Sequence, residues 1–292
     1  MSETQPREPP GLRRVGVERR TASGGTRLRR VSREPSSDVD DPVGREDDWA
    51  VVEEPLEIRV QGRPLAVTMR TPGHDRELAY GFLRSEGIVE RAGEVLGCTR
   101  PGPEDPQRAD RLLLELAPDA VERWAERAVE REFRATSACG VCGKPSLEDL
   151  DQRLPEIEPI AWELTLAHEL PALMRPRQAL FERTGGLHAA ALFSPSGELI
   201  DLFEDIGRHN AVDKLVGARL LAGDLSLAGR LLVVSGRAGF EIVQKAAMSA
   251  CPVVLAVGAA SSLAVELAAE AGVELWSFVG EERANRHLTS LR

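Results

Sequence analysis

Between Arg230 and Phe278 the chain alternates short Val/Leu/Ala runs with helix-length segments, and no other stretch limits the fold as tightly. Arg230–Val234, Pro252–Val257 and Val273–Phe278 read as strands, and Gly239–Ala250 and Ser262–Ala271 as helices. Apolar strands separated by helices form a parallel or mixed sheet with helices packed on it. In such sheets ligands bind in the crevice at the carboxyl ends of the strands. Here those ends are Asp201–Asp205, Ser235–Arg237, Gly258–Ser262 and Phe278–Arg283, all rich in small, polar or charged residues.

Ser235-Gly236-Arg237-Ala238-Gly239 leaves a strand and enters a helix. The free N–H groups and positive dipole end of such a junction make an anion seat. Gly258-Ala259-Ala260-Ser261-Ser262 repeats it one strand later. Glycine also simply turns a chain, so each junction alone is a weak signal. Two in succession point to a phosphate-bearing ligand. Neither carries the Gly-Lys-Ser/Thr of a P-loop or the spaced dinucleotide fingerprint.

Upstream, Leu164–Phe181 has helical apolar spacing, which Pro171 and Pro176 should kink or split. Thr184–Phe193 is a glycine turn leading into a strand, Glu198–Phe203 returns, and a helix runs from about Gly207 to Ala222. Gly207-Arg208-His209-Asn210, with Asp213 and Lys214 a turn later, loads charge onto that helix start. His209 is an acid/base or ligand candidate there, with a satisfied polar cap as the alternative. His188-Ala189-Ala190 resembles the His-x-Glu of zinc deaminases, but Ala190 stands where the general acid/base would be, so deamination is not expected.

Before this body, Leu56–Val60 and Leu65–Met69 alternate at period two around Gln61-Gly62-Arg63, a β-hairpin. His74–Leu83 reads as a helix with Leu78, Phe82 and Leu83 on one face, opened by a cap or surface histidine. Val95–Thr99 and Leu112–Leu116 read as strands, and Val121–Glu132 as an exposed helix. Residues 1–48 are rich in Arg, Pro, Ser, Gly and acids and cannot bury enough surface to offset their ordering entropy. The expected organisation is a disordered extension (1–48), an N-terminal α+β portion (49–134), a mobile cysteine loop (135–160) and an α/β body (161–292).

The net charge of −10 argues against nucleic-acid binding over the whole surface. The longest apolar run, Cys251–Ala260, is far short of the ~18 residues of a membrane span. The paired arginines near the N-terminus have no apolar region after them, so no export signal is predicted and a cytoplasmic protein is expected. Four cysteines in 292 residues do not make a disulfide scaffold.

Two of those cysteines form Cys139-Gly140-Val141-Cys142-Gly143-Lys144. Half a zinc site is one reading, but Cys98 and Cys251 stand alone and supply no second pair. A dithiol redox pair is another, although the glycines suit a loop better than a helix start. A plain structural loop is a third. The fourth is a sulfur carrier, whose exposed thiolate takes sulfur as a persulfide and passes it on, with Lys144 helping to lower the thiol pKa. Spacing alone does not choose.

Taken together, four motifs resemble the formate dehydrogenase accessory sulfurtransferase family. They are Cys139-Gly-Val-Cys142-Gly, Thr184-Gly-Gly-Leu-His188-Ala-Ala, Glu204-Asp-Ile-Gly-Arg-His-Asn-Ala-Val-Asp-Lys214 and Ser235-Gly-Arg-Ala-Gly-Phe-Glu-Ile-Val-Gln-Lys245. The resemblance covers roughly Glu54 to the C-terminus. It implies a homodimer whose α/β body is a cytidine-deaminase-like three-layer fold. It implies a sulfurtransferase that accepts persulfide sulfur from a cysteine desulfurase. The sulfur goes to the molybdenum or tungsten bis-pterin guanine dinucleotide cofactor (the bis-molybdopterin guanine dinucleotide form for molybdenum), and formate dehydrogenase is the client. It puts the persulfide on Cys139, with Cys142 as partner, and assigns no metal ligands in the chain. It puts the cofactor-binding segment on Phe278, Val279, Gly280, Glu281, Glu282 and Arg283. Glu281 and Glu282 depart from the glycine and basic residues expected there, and two acids beside a pyrophosphate are unfavourable. Arg237, Arg283 and backbone N–H groups are therefore the natural contacts. A zinc- or nucleotide-binding cofactor chaperone without sulfur turnover is the alternative.

Overall fold

The computed structural model describes residues 12–21, 27–32, 45–101, 110–135 and 154–287. The alternating segment forms strands β10 (Leu231–Val234), β11 (Val253–Ala256) and β12 (Glu274–Ser277), mutually parallel. A hairpin of β8 (His188–Phe193) and β9 (Leu199–Asp205) joins antiparallel to β10, and the short β13 (Asn285–Arg286) closes the other edge. The sheet order is β13-β12-β11-β10-β8-β9.

Every residue of β10 and β11 is buried because both faces are covered. On one face Leu232, Val254 and Leu275 pack against α5 (Arg208–Leu221), α6 (Phe240–Met248) and α7 (Ser262–Ala271) through Leu215, Ile242 and Leu267. On the other, Leu231, Val233, Leu255 and Trp276 pack against Leu166, Leu170 and Met174 of α3 (Leu166–Met174). Pro171 lies inside α3, and Pro176 sits in a single 3₁₀ turn (Arg175–Arg177) that separates α3 from α4 (Ala179–Thr184). The expected helix is thus split in two.

The N-terminal portion has a second mixed sheet, in order β5-β4-β7-β6, of β4 (Glu54–Val60), β5 (Arg63–Arg70), β6 (Val95–Thr99) and β7 (Arg111–Leu116). The hairpin turn at Gln61-Gly62 has positive φ at both residues, the primed turn that suits twisted strands. Leu56, Ile58, Val60, Leu112, Leu114 and Leu116 face Leu78 and Leu83 of α1 (Asp75–Ser85) and Trp124 of α2 (Pro118–Ala135). The helix expected to be exposed therefore buries Ala120 and Trp124. His74 holds the N-cap position of α1 in the left-handed region, but its side chain makes no cap bond and lies edge-on to Phe203.

This portion and the body are joined where α1 crosses α5. A Cβ on Gly81 would meet the Asp213 carbonyl oxygen, and one on Gly217 would meet the Glu77 carbonyl oxygen, each at 1.8 Å. Two glycines let the backbones touch, a close approach that no side chain permits.

Two boundaries differ from expectation. The extension expected to be disordered contains strands β1 (Leu12–Thr21) and β2 (Arg27–Ser32), which with β3 (Arg45–Val51) form an antiparallel sheet in order β2-β1-β3. Few large apolar residues are available here for burial, but main-chain pairing to β3, from Leu12↔Val51 to Glu18↔Arg45, supplies a hydrogen-bonded ladder that composition does not register. Of the expected cysteine loop, residues 136–153 with Cys139 and Cys142 lie outside the described residues. Residues 154–160 belong to the body, because Leu154 and Ile157 pack on the helix-covered core and Ile160 on the α3 side. Among the described residues no helix is long and apolar enough to cross a membrane.

Candidate functional site at the strand tips

The carboxyl ends of β10, β11 and β12 are tied together by main-chain bonds. Gly258 N–H donates to the Gly236 carbonyl at 2.9 Å, and Phe278 N–H donates to the Gly258 carbonyl at 3.0 Å. Space is tight at these tips, more so at Gly258 than at Gly236. A Cβ on Gly236 would lie 3.2 Å from His188 Nδ1, and one on Gly258 only 2.9 Å from the Gly236 carbonyl oxygen. Phe278 is held at φ 52°, the left-handed region that large residues avoid. Such strain persists where surrounding structure imposes it, often at ligand sites.

Between these tips and the α3–α4 segment lies a cavity of about 840 Å³. Val279, Gly280 and Glu281 line it, as do Ser235 and His188 from the sheet. His168 and Met174 of α3, Arg175, Gln178 and Phe181 form the opposite wall. His168 Nδ1 lies 2.8 Å from the Gly280 carbonyl, which fixes α3 to the β12 tip. Glu204 accepts from Leu180 N–H at 3.0 Å and Phe181 N–H at 2.8 Å, which sets the start of α4. The Arg175 guanidinium stacks 4.0 Å above the Phe181 ring.

His188 sits in a positive field. Partial burial, then Arg208, His209 and Arg237, push its pKa below the usual histidine value, and Asp205 opposes them only weakly. Asp205 is fully buried and already engaged: it pairs with Lys214 Nζ at 2.7 Å and accepts from the N–H groups of Thr71 and Gly207 and from Asn210 Nδ2. Arg208 Nε is buried without a hydrogen-bond partner among the described residues. A neutral imidazole among arginines suits an anionic ligand.

The site residues inferred from sequence separate accordingly. Val279, Gly280 and Glu281 line the cavity. Phe278 is at its edge, with the Arg283 guanidinium stacked 4.1 Å from its ring. Glu282, Arg283 and Arg237 are exposed, Arg237 on the neighbouring tip. His209 Nε2 pairs with Glu241 at 2.7 Å and so links α5 to α6. Asp213 and Lys214 point away from the cavity toward α1. Asp213 is bound by Lys245 Nζ through both oxygens at 2.8 Å and by Ser85 Oγ at 2.9 Å, and Lys214 Nζ also donates to the Thr71 carbonyl. Burial raises the Asp213 pKa and lowers that of Lys214. Sequence reasoning missed His168, Arg175 and Gln178. They interrupt an apolar helical pattern with polar residues, and that was the available signal.

The two described cysteines are poor thiolates. Burial pushes the Cys251 thiol up to about 12 and raises Cys98 as well. Cys98 borders a second cavity, of about 680 Å³, whose charges are matched internally by Arg70–Asp75, Arg70–Glu54 and Arg100–Asp75 contacts. Among the described residues no group of three or more His, Cys, Asp or Glu could hold a metal ion.

Fold and site together define a mixed α/β protein with a cavity at the tips of its parallel strands. The model of the FdhD/NarQ family matches residues 51–289, and the chain belongs to that family. It is 47% identical over 247 residues to the sulfur carrier protein FdhD of Streptomyces avermitilis, covering 82% of this chain and 87% of that one. It is 49% identical over 258 residues to the protein of the same name from Anaeromyxobacter dehalogenans, covering 82% and 86%. The fold is similar to the crystal structure of a chain described as a candidate formate dehydrogenase accessory protein from Desulfotalea psychrophila. The TM-score there is 0.66 at 21% identity, over 95% of this chain and 97% of that one.

Proposed function

We propose that this protein is a sulfurtransferase serving formate dehydrogenase, cytoplasmic and homodimeric, with a body of the cytidine-deaminase-like type. The sheet order β9-β8-β10-β11-β12, with an antiparallel first hairpin and helices on both faces, supports that fold reading. The observation that carries the function is the strand-tip cavity in a chain of this family, lined by Val279, Gly280 and Glu281 beside a neutral His188.

The substrate at this cavity is the molybdenum or tungsten bis-pterin guanine dinucleotide cofactor. The residues present fit it: the apolar walls suit a flat ring, and Arg237 and Arg208 beside His188 suit phosphates. Arg283, stacked on Phe278, is placed to reach a phosphate at the rim.

Sulfur arrives on Cys139. Its thiolate attacks the outer sulfur of a cysteine desulfurase persulfide, which forms the Cys139 persulfide and releases the donor thiolate. Cys142 thiolate then attacks the inner sulfur of Cys139. The Cys139–Cys142 disulfide forms, and the outer sulfur leaves with two electrons as sulfide for the metal. Thiol reductant restores the pair. That the described cysteines are both held as thiols by burial supports Cys139 and Cys142 as the carriers.

The test is intact-protein mass spectrometry after incubation with a cysteine desulfurase and cysteine. The wild type gains one sulfur atom, removable by cyanide, and Cys139→Ala gains none on that loop. A wild-type mass that never changes favours a cofactor chaperone without sulfur turnover.

A further inference from the structure

The broad walls of the cavity are apolar, formed by Met174, Phe181, Leu187, Val257 and Val279. Against them stand a few polar groups whose hydrogen-bonding roles are already constrained. Gln178 is 3% exposed and lines the cavity, yet its Nε2 meets no partner among the described residues. A buried polar group left unmet costs about 1–3 kcal/mol, and in a native protein it calls for an explanation. Ser235 Oγ accepts from Ala189 N–H at 2.8 Å, which leaves its proton to donate. His168 Nδ1 faces the Gly280 carbonyl, which can only accept, so Nδ1 carries the proton and Nε2 is the accepting nitrogen.

The cavity thus offers fixed donor and acceptor groups between apolar surfaces. That combination complements a planar ring with a carbonyl beside a ring N–H. Guanine and pterin share this 2-amino-4-oxo-pyrimidine edge, whereas adenine presents an amino donor beside a bare nitrogen. A glutamine amide can present either end, so Gln178 alone does not choose the ring; Ser235 and His168, held by Ala189 and Gly280, set the sense.

We infer that Gln178 contacts the bound ring directly, its buried amide held for the oxo-pyrimidine edge of a guanine or pterin, and that it makes the cavity prefer that edge to adenine's. This rests on the cavity being the cofactor site proposed above. The segment from His168 to Gln178, together with Ser235, then carries selectivity, while Arg237 and Arg283 carry phosphate binding.

The experiment titrates wild type and Gln178→Leu with GDP, ADP and 6-hydroxymethylpterin by calorimetry, and records thermal unfolding without ligand. Wild type is expected to bind GDP or the pterin at least about tenfold more tightly than ADP. Gln178→Leu loses about tenfold toward the preferred ring, the size of one hydrogen bond, and leaves ADP unchanged. Its ligand-free Tm stays level or rises, because an unmet polar group has gone. Whichever of GDP and the pterin loses affinity identifies the ring. Equal GDP and pterin binding by wild type and variant overturns the inference and leaves the cofactor site standing. Failure of wild type to bind either ring overturns both. A lowered Tm without selective loss of affinity, or failure of both Gln178→Leu and Gln178→Met to fold, assigns Gln178 a structural role and overturns the inference.

Discussion

The strand-tip cavity and the junction of α1, α5 and α6 share the stretch 235–245, through Ser235 at one and Lys245 at the other, yet they are electrostatic opposites. At the junction Asp205, Lys214, Asp213 and Lys245 are buried and each is paired, with Thr71, Ser85 and Asn210 taking up further bonds. At the cavity Gln178 keeps a buried nitrogen without a partner among the described residues; beside it, next to His188, Arg208 does the same, Arg237 is exposed, and Phe278 before the lining Val279 is held left-handed. Paired buried charge fixes how α1 sits on the body. Unmet polar capacity and strain mark where something else binds. A charged motif in this chain is therefore not one functional unit: alternate helix faces send its residues to two different tasks.

The largest expected effect breaks the junction. Lys214→Met leaves Asp205 buried without its cation, and loss of one partner of such a pair costs about 3–5 kcal/mol. Chemical denaturation measures it. A loss below about 1 kcal/mol would remove the contrast between the two regions.

A smaller effect, dependent on pH, reports on the cavity. The pKa of His188 is lower in the folded protein than its ordinary 6.5, so as pH falls the unfolded chain takes up the proton first. The stability owed to neutral His188 is complete above about pH 6.5 and is lost as pH falls through and below that value. His188→Gln should therefore lose less Tm than wild type between pH 7 and pH 5. His287, also held low by burial, is present in both proteins and cancels. Parallel Tm curves would mean that burial and the charges around His188 do not hold it neutral.

The smallest effect concerns Glu281, exposed on the cavity wall. Removing its charge with Glu281→Gln should strengthen GDP binding by no more than about threefold and change stability by less than about 0.5 kcal/mol. Weaker binding would give the acid a positive role that the geometry does not show.

Much of the body was legible because its signals are local. Apolar runs bounded by glycine, such as Leu231–Val234 before Ser235-Gly236, state both the strand and its exposed tip. The Val279–Glu281 wall followed from the family resemblance and sits where the sheet rule places ligands. Gln178 and His168 left only a faint trace, as polar residues on a segment whose apolar spacing describes its packing on the sheet, and only the folded chain puts both on the cavity wall. The strands over 12–32 were hidden for a related reason: their partner is β3, and composition does not name pairing partners.

The sequence by itself determined the order of strands and helices in the body, the glycine tips and the family, because periodicity, turn chemistry and motifs act over a few residues at a time. Only the tertiary structure decided that Asp213 turns to Ser85 and Lys245 while Ser235 and His188 turn to the cavity. Those choices depend on which surfaces meet across 128 residues of chain between Ser85 and Asp213, and on two glycines that let α1 and α5 touch.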